Sequence, residues 1–307
     1  MTVSDVRFSV VISVGREELL DKIERSIRNN SFIEKKIEII LIRGKELPGE
    51  KRNKGAQIAK GDFLVFLDDD VEIDSGYFQT LDRILVQEKA DILGGPNCGG
   101  QSVNKIQKMI EIAFSRKVGF GKGAKRFSKI NRIMEGNEDV LTACNLCINR
   151  VVFLKERGFK ETLFPGEEVE LVRRLREQGY KLIYHPEIMV IHHRRSTLKD
   201  LWKQVFNYGK GRMALFLVGG FNMRDFTYLF PLCLVLYGLL IPIATISFPF
   251  LLIGAAMYVL VLIICCLFEW RSGRVKGKEI VTLLIVFAVM HVSYGCGMLM
   301  RLVSRRG

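Results

Sequence analysis

Residues 226–268 contain no Asp, Glu, Lys, Arg or His. At about 1.5 Å per residue this run is long enough for two membrane-spanning helices of roughly 20 residues each. A buried hairpin of a soluble protein rarely has so long an uncharged stretch, so we read it as spanning. Other absences narrow the class further. Seven Cys without regular spacing exclude an oxidised framework and point to a reducing compartment. The N-terminus has no charged segment followed by a long apolar run, so no cleaved signal peptide is expected. The first strand candidate ends in VGREEL rather than G-x-G-x-x-G, and no G-x-x-x-x-G-K-[ST] occurs. Dinucleotide and P-loop chemistry therefore lose their usual support. A processive polymer synthase would want Q-x-x-R-W, which Gln204-Val205-Phe206-Asn207-Tyr208 does not supply.

What is present is segregated. The chain carries 46 Lys+Arg against 33 Asp+Glu, a net charge of +13. Its mean hydropathy is nevertheless +0.17, on the apolar side. The grease lies beyond residue 225, where a third run, residues 280–300, carries a single ionisable side chain, His291. The break between the first two spans falls at Ser247-Phe248-Pro249, because proline removes a backbone donor. The turn before the third run holds Arg271, Arg274, Lys276 and Lys278. Positive-inside reasoning makes that turn cytoplasmic, and two crossings earlier the N-terminal region with it. Three crossings would export a tail with Arg301, Arg305 and Arg306, unless the third segment is re-entrant. The expected location is the plasma membrane, with the catalytic domain facing the cytoplasm.

Residues 1–195 read as an α/β domain with a mainly parallel sheet. Residues 8–14 (FSVVISV), 37–42 (IEIILI), 63–67 (FLVFL) and 91–95 (DILGG) have the patterns of buried strands. Helical spacing follows the first strand at Leu19, Leu20, Ile23 and Ile27, and recurs over residues 77–88. In such sheets ligands bind beyond the carboxyl ends of the strands. There the third strand runs into Asp68-Asp69-Asp70, three repelling carboxylates that a hard divalent cation such as Mg²⁺ or Mn²⁺ would relieve. The alternative is a solvated acidic turn. A second cluster, Glu167-Glu168, opens the helical pattern after Pro165-Gly166, where the helix dipole favours anions with or without a catalytic role. A strand pair, residues 182–184 and 188–191, then ends at His192-His193, candidates for a metal ligand or base.

The ordered set of motifs resembles family 2 glycosyltransferases of the GT-A fold over about residues 7–212, closest in pattern to bacterial exopolysaccharide and succinoglycan-type membrane-anchored sugar transferases. The carrying segments are SVVISV, KRNKGAQIAKGDFLVFLDDDV, ACNLCINRVVFLKERGF, GEEVELVRRLREQGYKLIYHPEIMVIHH and QVFNYGKGR. The resemblance implies a metal-dependent, inverting transfer of a sugar from a nucleotide-diphosphate donor to a lipid-linked or glycan acceptor. It assigns the metal (Mn²⁺ or Mg²⁺) to Asp70 and His192, and the donor to Asp68, Arg52, Asn53 and Arg212. It assigns the general base to Glu168 and the acceptor side to Asn145 and Glu167. Three departures touch this pattern. Glu168 stands where the family has Asp, Arg43 falls near the strand-two Asp, and Ser13 replaces the usual Pro. They leave open a catalytically weak member that serves as a nucleotide-sugar or lipid-carrier binding scaffold.

Residues 105–132 hold nine Lys/Arg and one acid, Glu111, interleaved with Phe114, Phe120 and Phe127. No nucleic-acid fold signature accompanies them, so membrane lipids or a lipid diphosphate are the expected partners rather than nucleic acid, the alternative being a mobile solvated loop around GFGKGAKRF. In residues 197–208, Leu198, Leu201, Trp202 and Val205 form one helical stripe, read as an interfacial helix. Cys144-x-x-Cys147 lacks the second pair of a zinc site. The expected organisation is a catalytic domain (1–195), an interfacial helix and linker (196–224) and a membrane domain of about three spans (225–307).

Overall fold

The computed structural model describes residues 6–30, 36–219 and 223–304. Arg305 and Arg306 of the tail lie outside the described residues. Among the described residues the strands are β1 (Phe8–Ser13), β2 (Ile37–Ile42), β3 (Phe63–Asp68), β4 (Val71–Glu72), β5 (Ile92–Gly94), β6 (Asn97–Cys98), β7 (Met134–Glu135), β8 (Asn145–Asn149), β9 (Leu182–Tyr184) and β10 (Val190–His192). The α-helices are α1 (Leu20–Arg28), α2 (Pro48–Ile58), α3 (Tyr77–Glu88), α4 (Lys105–Phe114), α5 (Lys117–Phe120), α6 (Arg150–Lys155), α7 (Glu167–Glu177), α8 (Leu198–Gly219), α9 (Phe230–Ser247), α10 (Leu251–Arg271) and α11 (Ile280–Val303). The chain divides into two units, Met1–Gln101 with Lys125–His193, and Ser102–Ala124 with Arg194–Gly307.

The first unit is built on a seven-stranded sheet in the order β2-β1-β3-β8-β5-β9-β7. β1 pairs in parallel with both β2 and β3, and β8 lies antiparallel between β3 and β5. Successive strand residues face opposite sides, and both sides are buried. Phe8, Val10, Ile12, Val65 and Leu67 pack in one core with Ile23 of α1 and Phe78 of α3. Val11, Leu64 and Phe66 pack in the other with Ala56 of α2, Phe153 of α6 and Leu171 of α7. This alternation decides where the residues after Leu67 point. β9 and β10, consecutive in sequence, do not pair with each other. β9 joins the large sheet, whereas β10 joins a small sheet in the order β4-β10-β6. There His192 stands across from Val71, immediately after Asp70.

In the second unit three helical stretches are long and apolar enough to cross a membrane, Asp225–Pro242, Leu251–Arg271 and Gly277–Val303. α11 packs against α8, α9, α10 and α4. Glycine permits the closest of these approaches. A Cβ on Gly297 would stand 2.0 Å from the Phe206 carbonyl oxygen of α8, and one on Gly209 equally close to that of Tyr294. In the stripe of the expected interfacial helix, Leu201 and Val205 are buried and Trp202 is exposed. α4 and α5 also belong to this unit, although they interrupt the catalytic domain in sequence. His291 fastens them, because its Nε2–H donates to the Val118 carbonyl at 2.6 Å while Tyr258 hydroxyl donates to Nδ1 at 2.9 Å. With both ring nitrogens engaged, His291 is a fastener between helices.

Gly297→Val is expected to lower the thermal midpoint of the detergent-solubilised chain, with a loss on the order of 1–3 kcal/mol from overpacking. An unchanged midpoint, read by intrinsic fluorescence, would contradict the close α8–α11 approach.

Candidate active site

The side chain of Asp68 follows Leu64 and Phe66 to the side of the sheet covered by α2 and α7. There it meets the guanidinium of Arg52, with Nη2 donating to Oδ1 at 2.7 Å. The other arm of Arg52 donates to Oε1 of Glu167 at 2.8 Å. Arg52 thus links the carboxylate cluster after β3 to the one that opens α7. Asp69 turns the other way, and its Oδ2 accepts the backbone N–H groups of Gly15 and Arg16, each at 2.6 Å. The middle residue of the acidic triplet therefore holds the loop after β1 in place.

Asp70 comes back toward Asp68. His192 Nε2 lies 3.0 Å from Asp70 Oδ1, and Arg16 pairs with the other oxygen of the same carboxylate. One ligand atom each from Asp68, Asp70 and His192 falls within a 4.8 Å span. Burial disfavours the imidazolium, but the charge and hydrogen bond of Asp70 outweigh it and hold His192 up at about 10. Burial likewise opposes the Asp70 anion, yet His192 and Arg16 keep its carboxyl well below the usual range. The acids draw positive charge to this centre, and an ion held here would take the place of the His192 proton, since a ligating imidazole is neutral. Two carboxylates and an imidazole suit a hard-to-borderline divalent ion, and the buried Nδ1 of His192 has no hydrogen-bond partner. The residues present fit such an ion.

Gly166, at φ 124°, occupies the left-handed region that favours glycine and starts α7 directly at Glu167. Glu167 is 3% exposed, and burial together with the neighbouring Glu168 charge raises it to about 7 despite Arg52. Glu168 is less enclosed and accepts from Nη1 of Arg126 at 3.0 Å. Arg126 is itself anchored on the Glu138 carbonyl oxygen through Nε at 3.1 Å.

The other expected site residues fall less directly. Asn53 amide grips the backbone of Phe159 from both ends, at 2.8 and 2.9 Å, and reaches Glu161 at 2.9 Å, so it shapes a loop. Asn145 stands opposite Leu67 and so points to the α3 side of the sheet. Its amide accepts from the Tyr77 hydroxyl at 2.7 Å and donates to the Ile188 carbonyl at 2.8 Å. It is fully buried, with 0% exposure. Glu167 is enclosed in the same sense and is held by Arg52. Arg212 belongs to the second unit, where its guanidinium lies 3.9 Å from the Tyr228 ring centroid. Arg43 pairs with Glu17 at 2.8 Å on the surface, and Ser13 ends β1 with its hydroxyl buried and unpartnered. Sequence reasoning missed Arg16 and Arg126. Arg16 carried a signal, standing at the carboxyl end of the first strand; Arg126 was submerged in a stretch of nine basic residues.

The fold and this site define a GT-A α/β domain. Residues 10–156 match the family model described as Glycosyl transferase family 2. Glu167, Glu168 and His192 lie beyond the matched segment, so their grouping here rests on geometry. The chain is also similar to the crystal structure of S. aureus TarS, at 13% identity and a TM-score of 0.44. That likeness covers 68% of this chain and 40% of the other, and is too distant to carry an inference. No curated protein matches the chain.

Because Glu167 is held above the ordinary carboxylate value of 4.5, its contribution to stability is full in acid and is lost as pH rises through about 7. Glu167→Gln should therefore flatten the decline of the thermal midpoint between about pH 5 and about pH 8. Parallel curves for the two proteins would show that Glu167 does not titrate in this window.

Proposed function

We propose that the chain is a membrane-anchored, inverting glycosyltransferase that moves a sugar from a nucleotide-diphosphate donor to a lipid-linked or membrane-proximal glycan acceptor in cell-envelope polysaccharide synthesis. The observation that carries this reading is the Asp68–Asp70–His192 cluster at the carboxyl end of β3, in a domain whose residues 10–156 match the family 2 model. Asp70 and His192, with Asp68 beside them, would hold Mn²⁺ or Mg²⁺. The chemistry supplied at that cluster is neutralisation of the charge on the leaving diphosphate. The basic turn of residues 271–278 supports a cytoplasmic placement of the catalytic unit at the plasma membrane.

In this reading the acceptor oxygen forms a bond to the anomeric carbon as the bond to the diphosphate oxygen breaks, in one in-line displacement. Glu168 takes the acceptor's proton. Its salt bridge to Arg126 orients the carboxylate before the acceptor arrives. Arg52 fixes the floor between Asp68 and Glu167, and Asn53 secures the Phe159 loop beside it. Arg16, already among the carboxylates, is placed to turn toward the diphosphate as its charge develops. Arg212 remains a donor-side candidate by resemblance, and Asn145 and Glu167 serve the acceptor side as positioning residues. A second reading, a nucleotide-sugar or lipid-carrier binding scaffold, draws on Arg43, which stands where the family's base-reading acid would be and is occupied with Glu17.

The test is a screen of nucleotide sugars with detergent-purified full-length chain and Mn²⁺ or Mg²⁺. Divalent-dependent transfer is expected, with Asp70→Ala and Glu168→Gln each lowering it by about 10²-fold or more. Full activity of Asp70→Ala in chelator would sink the metal assignment. Binding without turnover for every donor would favour the scaffold.

A further inference from the structure

The second unit brings together two basic segments that lie some 160 residues apart in sequence. Lys105 Nζ at the start of α4 donates to the Lys278 carbonyl at 2.9 Å, and Lys108 pairs with Glu279 at 3.2 Å. Arg116 forms a bidentate pair with Glu269 at the end of α10, at 2.7 and 3.1 Å, and Arg274 reaches the same carboxylate at 2.6 Å. The acids at this junction are consumed internally, with Glu269 3% and Glu279 8% exposed. The cations outnumber them and, Arg274 included although it is paired, keep exposed surface. Lys105, Lys117, Arg271, Arg274, Lys276 and Lys278 are all exposed around the same junction. Like charges gathered this closely repel one another, so the surface is complementary to an external anion.

The neighbouring surface identifies that anion. α10 leads into the junction with exposed Leu260, Ile264 and Phe268, a face with no reason to meet water, and ends at the half-exposed Trp270. Tryptophan at the end of an apolar span, followed at once by arginine and lysine, is the pattern of a headgroup-level belt. A soluble polyanion would cover the charges and leave the apolar face of α10 unmatched, whereas a bilayer satisfies both. We propose that α4–α5 and the turn between α10 and α11 form one composite rim that binds the headgroups of anionic phospholipids. It rests on reading α10 as a membrane span and is independent of the transfer chemistry. The rim also gives α4 and α5 a reason to leave the catalytic fold: they complete a basic surface that the 271–278 turn begins.

The chain contains two tryptophans, Trp202 and Trp270, so Trp202→Phe leaves Trp270 as the sole reporter at the rim. The full-length variant is reconstituted in vesicles containing brominated phosphatidylglycerol or brominated phosphatidylcholine, and Trp270 quenching is titrated. The expected result is a preference for the anionic lipid of about fivefold or more, since each basic residue near the surface adds attraction of that order. Added replacement of Arg271, Lys276 and Lys278 by Gln should bring the ratio toward one, as should about 1 M salt. Lys105→Gln with Lys117→Gln, on the other segment, should lower it independently, which guards against misfolding of the first variant. Equal quenching by the two lipids in the Trp202→Phe chain would overturn the proposal. So would a preference untouched by both sets of replacements, or displacement of the anionic lipid by an equimolar oligonucleotide.

Discussion

One buried guanidinium organises the catalytic unit. Arg52 sits between Asp68 and Glu167, with 6% of its side chain exposed, and joins helix α2, strand β3 and the start of α7. Burial opposes its charge, but the two carboxylates more than compensate and raise its already high pKa. Removing one member of such a group leaves an unmatched charge in a low-dielectric interior, which is far more costly than the group is stabilising. The remaining acids are balanced in the same way, Asp70 by Arg16 and His192, and Glu168 by Arg126. Four carboxylates can share one end of the sheet because cations are interleaved among them. On the proposed reading, the arrangement is preorganised for a reaction in which negative charge develops on a leaving group.

The second unit, with three helices long and apolar enough to cross a membrane, depends on a different constraint, the closeness of its helices. Hydrophobic attraction between helices is weak in lipid, so small residues and a few hydrogen bonds must specify the packing. Gly209 and Gly297 permit the α8–α11 contact, and Gly295 a similar approach to the Pro231 carbonyl at the start of α9. His291, the single ionisable residue of the third apolar run, is spent on Tyr258 and the Val118 carbonyl. The expected choice between a spanning and a re-entrant third segment thus meets a helix, α11, whose neighbours include α4 as well as α8, α9 and α10.

Much of this was legible in the sequence where the signal is local. Runs rich in apolar residues mark β1, β2 and β3, residues 77–88 form α3 as their pattern predicts, and an uncharged stretch marks the first two spans. The acidic triplet and the His192-His193 pair were each readable at a strand end, and the resemblance joined Asp70 to His192. What escaped depends on long-range direction. The face to which Asn145 points follows from its antiparallel register with Leu67, which no local pattern encodes. The parting of β9 and β10 into different sheets, and the transfer of α4 and α5 to the membrane unit, are tertiary choices. Charge pairing behaves likewise: Arg126 looks like one more basic residue until the fold sets it against Glu168.

The central claim is that the Asp68–Asp70–His192 cluster is a divalent-cation site, and it is tested most directly without turnover. Manganese binding to the purified full-length chain, followed by electron paramagnetic resonance of the free ion, should show one saturable site in the unmodified protein. That site should disappear in both Asp70→Asn and His192→Ala. Failure of the unmodified chain to bind Mn²⁺, or undiminished binding in both variants, would contradict the account.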